Sequence, residues 1–423
     1  MLRRHFLALL AAPAMAVAVE ACGADANDPD PGTAGAAEQR SSVKRAATRP
    51  ADSVDAAAAL NDFGTALYRR LAAERRGENI VMSPASIAVA LTMTSAGART
   101  QTLAEMLTTL RIADGATIHR SMNALTAALD LRNTDDVTLS IANSLWGQAG
   151  LVFEAPFLDV LSAEYGAGMH VVDYIADTEA ARLAINDWVD EATQQRIPEL
   201  LAPEVLTTDS RLTLVNAIYM KAAWLAPFIV EATADAAFTL SDGTSADVPM
   251  MTRTGTMWFA TGDGWRAVEL DYAGGELAML ILLPEDGFLD HFEEIFLVSD
   301  ATQYLEPKPV ALTMPRFDIE SNVELGDVLA AMGMALAFSD DADFSGMTTA
   351  EELKISKVVH QANITVDEQG TEAAAATAVV VEPTSAPPGD PISFNLDRPF
   401  VFAVRDRATE AILFMGRVSD PIR

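Results

Sequence analysis

Five histidines and one cysteine among 423 residues leave this chain short of the groups that carry most enzyme chemistry. Cys22 has no second cysteine to join, so no intrachain disulfide can form. The histidines are His5, His119, His170, His291 and His360, and none falls in an HExxH motif or a spaced cluster with carboxylates or cysteine. That pattern supports neither a metal site nor a cofactor. There is no GxSxG elbow, no phosphate loop and no dinucleotide fingerprint, so no catalytic residue is assigned. Cations are scarce as well: 29 Lys and Arg against 60 Asp and Glu give a net charge of −31. Such a surface repels nucleic acid and anionic headgroups, and its plain consequence is solubility. Beyond the first twenty or so residues no apolar run is long enough to span a bilayer.

The N-terminus does carry a signal. Arg3 and Arg4 precede an apolar run from Phe6 to Val19, too short for a comfortable span and shaped like a signal peptide. Arg3-Arg4-His5-Phe6-Leu7 resembles a bacterial twin-arginine signal. Val19-Glu20-Ala21-Cys22 resembles a lipobox, with Cys22 as the lipidated residue and Glu20 as the departure from that pattern. Residues 1–21 therefore read as a signal peptide, and the chain as an exported, extracellular or cell-surface protein with a possible lipid anchor. Residues 22–54 are rich in Ala, Asp, Pro, Gly, Ser and Thr without apolar periodicity, and read as a disordered tether.

From Val54 the pattern changes. Leu60, Phe63, Leu67 and Leu71 recur at helical spacing, and Ser86–Met93 and Ile185–Ala192 give two further helices. Leu212–Met220 is a nearly continuous apolar run, as for a strand buried on both faces, and Leu277–Leu283 is another. Val310–Met314 alternates, while Pro399–Val404 with Ile412–Val418 reads as a closing hairpin. Helices dominate the first half and strands the second. Residues 55–423 are expected to form one α+β unit with large mixed or antiparallel sheets.

One stretch stands apart: Asp367-Glu368-Gln369-Gly370-Thr371, continuing as Glu-Ala-Ala-Ala-Ala-Thr to Thr377. Alternate strand residues share a face. With Thr371 inward, that face is Thr371, Ala373, Ala375, Thr377, Val379 and Val381, free of charge, and both glutamates of residues 371–382 fall on the other. A slip of one residue would bury both acids. The segment suits a solvated loop and also a strand with one buried face. An Ala-rich linker or helix remains open on the same residues.

Several motifs resemble those of the serpin family, in that family's order, over essentially all of residues 55–423. They are Asn79-Ile80-Val81-Met82-Ser83-Pro84-Ala85-Ser86-Ile87, Gly97-Ala98-Arg99, and Asn216-Ala217-Ile218-Tyr219-Met220-Lys221 with Trp224 and Pro227-Phe228. Val248-Pro249-Met250-Met251, Ala342-Asp343-Phe344-Ser345-Gly346, Asp397-Arg398-Pro399-Phe400 and Phe414-Met415-Gly416-Arg417-Val418 complete the set. Each is weak alone, and together they are specific. The resemblance implies a serpin fold with three β-sheets, about eight or nine helices and an exposed reactive centre loop. It implies no enzyme but a suicide inhibitor: a serine protease is acylated by the loop, which then inserts into the central sheet and distorts its attacker.

The same resemblance assigns a reactive-loop hinge to Glu368, Gly370, Thr371, Ala373, Ala375 and Thr377. Counting fourteen residues from Gly370 gives Thr384 and Ser385 as the reactive bond. It also implies a sheet-opening latch of Ser83, Ser86, Asn216 and His360, with Trp224 where the hinge enters the sheet. His360 alone reads as a hydrogen-bonded core residue, and Trp224 equally as core filler. No Lys or Arg occurs from Val358 to Asp397, so a trypsin-like protease, which needs a cationic side chain opposite a buried acid, finds no bait. Small and branched residues suit an elastase-like or subtilisin-like partner, with a cysteine protease second. The protein is expected to act as a monomer. Two alternatives stand beside this: a non-inhibitory serpin serving as a binding module, and an exported hydrolase.

Overall fold

The computed structural model describes residues 37–295, 298–371 and 390–422. Its helices are α1 (Val54–Glu74), α2 (Pro84–Ser95), α3 (Thr100–Thr109), α4 (Ile118–Asp130), α5 (Ala155–Val160), α6 (Thr178–Ala192), α7 (Leu289–Ile295), α8 (Val298–Thr302) and α9 (Gly326–Leu329). Leu60, Phe63, Leu67 and Leu71 all point from α1 into the core, as their spacing requires. The helix α2 is buried on every side, and Ser83 caps it by accepting from the Ser86 N–H. Among the described residues no helix is long and apolar enough to cross a membrane.

Among the described residues the strands form two sheets. The seven-stranded sheet holds β1 (Ala37–Gln39), β3 (Val137–Gln148), β4 (Met169–Val172), β5 (Leu212–Ala223), β11 (Phe317–Glu324), β12 (Lys357–Val366) and β13 (Gly370–Thr371). Its order is β1-β4-β3-β5-β13-β12-β11, and below β13 the strands β5 and β12 pair directly and in parallel. The nine-stranded sheet holds β2 (Ile80–Met82), β6 (Ala234–Thr239), β7 (Ser245–Gly262), β8 (Trp265–Asp271), β9 (Leu277–Pro284), β10 (Glu306–Pro315), β14 (Ile392–Asn395), β15 (Phe400–Asp406) and β16 (Ile412–Val418). The long strand β7 joins its two halves, pairing with β6 at its start, with β10 through its middle and with β8 at its end. The closing hairpin forms as β15 with β16.

β5 is buried along nearly its whole length, as its unbroken apolar run predicts, because each face meets a different core. Leu214, Ile218, Met220 and Ala222 face the main core. Val215 and Ala217 face a second cluster with Trp146, Ile185 and Val189, beneath α6.

Residues 37–53 depart from the tether reading. β1 adds an antiparallel edge strand to β4, and the chain then runs along α5 and α4 before entering α1. The segment has too little apolar surface to order itself. Its receiving surface supplies the order, through backbone pairing and through side chains that accept from the segment (Asn123, Thr126 and Asp159) or donate to it (Ser162).

Candidate functional site: the mouth of the central sheet and its latch

β12 ends in a tight turn that carries the first residues expected to form the hinge. The Asp367 carboxylate accepts from the N–H groups of Gln369 (2.7 Å) and Gly370 (3.1 Å), which folds the chain back on itself. Gly370 and Thr371 then lie between β5 and β12, with Thr371 opposite Ala222 on one side and Val366 on the other. Glycine is required at 370, because a Cβ there would fall 2.0 Å from the Ala222 carbonyl oxygen. Thr371 is buried and its hydroxyl meets the Tyr272 hydroxyl at 2.7 Å. Its side chain therefore faces the main core.

Trp224, at the end of β5, holds this turn from the side. Its indole N–H donates to the Asp367 carbonyl (2.9 Å) and its backbone N–H to the Gln369 carbonyl (2.8 Å). Its ring stacks on Tyr272, centroids 4.5 Å apart and 13° from parallel. Glu368 points the other way, into a buried seat where Arg316 donates from two nitrogens (2.8 and 2.5 Å) and Thr233 donates its hydroxyl. Burial pushes the Glu368 carboxyl up, but these hydrogen bonds outweigh it and hold the group below the usual carboxylate range.

Lower in the sheet, where β5 and β12 are zipped together, a polar chain crosses the apolar core. His360 and Asn216 are register partners, and the imidazole Nδ1 contacts Asn216 Oδ1. A carbonyl oxygen only accepts, so Nδ1 carries the proton and Nε2 accepts from the Ser83 N–H at 3.0 Å. Ser86 Oγ continues the chain by donating to Asn143 Oδ1 at 2.9 Å, and Asn143 is the register partner of Asn216. The network thus ties α2 to β3, β5 and β12. Burial depresses the His360 pKa to about 3, although the Asn216 contact works against it. A proton on Nε2 would also face the Ser83 N–H. Asn216 Nδ2 is buried and has no hydrogen-bond partner among the described residues.

Ser83, Ser86, Asn216 and His360 are therefore brought together. Trp224 is not among them: it lies eight residues beyond Asn216, just past the end of β5, and belongs with Glu368, Gly370 and Thr371. Ala373, Ala375, Thr377, Thr384, Ser385 and Cys22 lie outside the described residues. Asn143, Thr233, Tyr272 and Arg316 complete the site without having been legible in the sequence. Each is one polar residue in or beside a strand, and only the pairing of distant strands gives it a partner. Among the described residues no group of three or more His, Cys, Asp or Glu is placed to hold a metal.

The arrangement is a sheet with an opened top, a strand started in the opening, and a polar clasp below. A family model for serpins (serine protease inhibitors) matches residues 58–421. The chain is a serpin. It is 37% identical over 376 residues to the leukocyte elastase inhibitor of Bos taurus, covering 86% of this chain and 99% of that protein. It is 34% identical over 374 residues to the alpha-1-antiproteinase of Rattus norvegicus, covering 86% and 89% respectively. Among solved structures, human thyroxine-binding globulin complexed with thyroxine superposes with a TM-score of 0.80 at 29% identity, over 88% of this serpin and 99% of the other chain. Uncleaved ovalbumin gives 0.78 at 28% identity, over 86% and 99%. The shared fold accounts for motifs that looked unrelated in the serpin sequence: Gly97-Ala98-Arg99 and Ala342–Gly346 meet, with the Arg99 N–H donating to the Asp343 carbonyl and the Gly346 N–H to the Gly97 carbonyl.

Proposed function

We propose that this serpin is a suicide inhibitor of elastase-like or subtilisin-like serine proteases, trapping them by inserting its loop between β5 and β12. The observation that carries the reading is β13, two residues already seated in that opening with a strand partner on each side. The attacking protease's serine forms an ester with the Thr384 carbonyl, and the peptide bond to Ser385 breaks, releasing the new amine. The freed strand then extends β13 downward.

Continued from β13, both ladders would carry it along one path. Continuing the register of Thr371 with Ala222 sets 373 against Met220, 375 against Ile218 and 377 against Asn216; continuing its register with Val366 sets 377 against His360. The clasp therefore lies in the path of residue 377, and must part before insertion can pass. The inward face of the segment has two threonines before its valines, Thr371 and Thr377. One already meets Tyr272, and the other arrives where Asn216 Nδ2 has no partner. That match supports the parity chosen from sequence. Elastase-directed relatives and the absence of Lys and Arg from Val358 to Asp397 support the target class. The N-terminal sequence supports an exported, cell-surface lipoprotein anchored through Cys22, working as a monomer.

Incubation with elastase, subtilisin, trypsin and a cysteine protease, followed by denaturing electrophoresis and mass spectrometry, tests this. Expected are a denaturant-resistant complex with elastase or subtilisin, a cut at or within two residues of Thr384, and no complex with trypsin. Cleavage without any complex would instead favour a non-inhibitory binding module. Labelling of a serine or cysteine of this chain by an activity probe would favour a hydrolase.

A further inference from the structure

We infer that the groove bounded by β4, α5 and α4 is a docking site whose ligand is the chain's own residues 37–49, and that its occupancy sets the rate at which the central sheet opens. The inference rests on the insertion reading. The groove is shaped for an extended peptide with an arginine at a fixed place. β1 pairs with β4, setting Glu38 opposite His170. A Cβ at Gly168 would lie 2.5 Å from Glu38 Oε1 and 2.7 Å from the Gln39 carbonyl oxygen, so this glycine is what lets the segment lie so close. Gln39 Nε2 donates to the Leu151 carbonyl at 2.9 Å, and the Ala46 N–H to the Ala163 carbonyl at 2.7 Å. Arg45 spreads its guanidinium over α4, donating to Asn123 Oδ1 (2.8 Å), Thr126 Oγ1 (2.7 Å) and Asp130 (3.3 Å). Asn123 is fully buried, and its amide returns a bond to the Ala46 carbonyl at 3.1 Å. A buried asparagine spent in this way marks a built receptor.

The placement of the segment couples it to opening. Insertion separates β5 from β12, leaving β4, β3 and β5 on one side of the gap. β1 is bonded to the outer edge of that group. Arg45 and Ala46 are bonded to α4 and to the helical segment that continues α5, and α4 packs on α1 and α2. The segment is thus a strap from the sheet edge to the helical core, and sideways travel of β4 strains it. It lies ahead of the region matched by the family model.

Two full-length variants release the strap from opposite sides: Arg45→Ala removes its anchor, and Gly168→Ala fills the space beneath it. Each is warmed without protease while inhibitory activity is followed, and each is separately cleaved in the loop and melted. Both variants are expected to lose activity about tenfold faster than the unaltered chain, since several hydrogen bonds are removed from the closed state alone. Their cleaved forms should melt as the unaltered cleaved form does, which a general loss of stability would not give. A synthetic peptide of residues 37–49 should restore the half-life of Arg45→Ala and leave Gly168→Ala unchanged. Half-lives within twofold of the unaltered chain, equal destabilisation of cleaved and uncleaved forms, or no rescue would each overturn the strap. If the unaltered chain neither loses activity on warming nor gains stability on cleavage, it is the insertion reading that fails.

Discussion

His360 is a neutral imidazole by construction. One nitrogen gives its proton to Asn216, the other receives one from the Ser83 backbone, and burial holds its pKa at about 3. In the unfolded chain a histidine titrates near 6.5. The unfolded state therefore gains protons first as pH falls, so the stability carried by this neutral form is complete above about pH 6.5 and is lost progressively toward pH 3, by up to about 1.4 kcal/mol per unit. Replacing His360 with Gln should flatten the pH dependence of unfolding between those limits relative to the unaltered chain; parallel curves would show that the group does not titrate there. The sequence disclosed this residue only through its motif neighbours. A lone histidine beside Val358 and Val359 reads as a core residue, and its bonds to residues 144 and 277 positions away have no local signature.

At the level of the element, β13 and its turn are narrowly specified. Gly370 is there because the Ala222 carbonyl leaves no room for a Cβ. Gly370→Ala should unseat β13, delay insertion and turn a fraction of inhibitor into substrate, read as a rise of about threefold or more in the moles of serpin consumed per protease, which needs under 1 kcal/mol between the competing paths. An unchanged ratio would mean that the seated pair does not start insertion. Thr371 faces the core, as the sequence reading set it, and the rest of the hinge lies outside the described residues; that reading used the two glutamates, since only one register keeps both acids off the buried face. The seating of residues 37–49 was illegible for another reason: they lack apolar periodicity, and the contacts that order them come from Gly168, Asn123 and Thr126. The long apolar runs that became β5 and β9 announced themselves because both of their faces are buried.

On the scale of the molecule, β5 pairs directly with β12 below β13, and the insertion reading makes this the place for one more strand. Filling it with roughly 14 residues adds ladder hydrogen bonds on both sides, at about 0.5–1.5 kcal/mol net each, for a gain on the order of 10 kcal/mol. A protease domain is stable by ~5–15 kcal/mol, so this is the right size to disorder one. Cutting the loop with any protease and heating the product should raise the melting temperature by on the order of 10–20 °C. A cleaved form that melts with the intact one would leave no stored energy to explain inhibition. Among the described residues, two of the three sheets expected from the family resemblance join edge to edge into the nine-stranded one, because β7 runs unbroken from one into the next.

On the insertion reading, the place between β5 and β12 would accept backbone and a run of small side chains, and neither carries a mark of origin. Any extended segment with that alternation would then fit it, including the same segment from a neighbouring molecule. Assembly of this kind is heterologous, since the donor surface differs from the acceptor, and so it propagates as open chains rather than closing into a dimer. Warming a concentrated solution then sets two fates in competition, one first-order and one second-order in protein, and dilution selects between them.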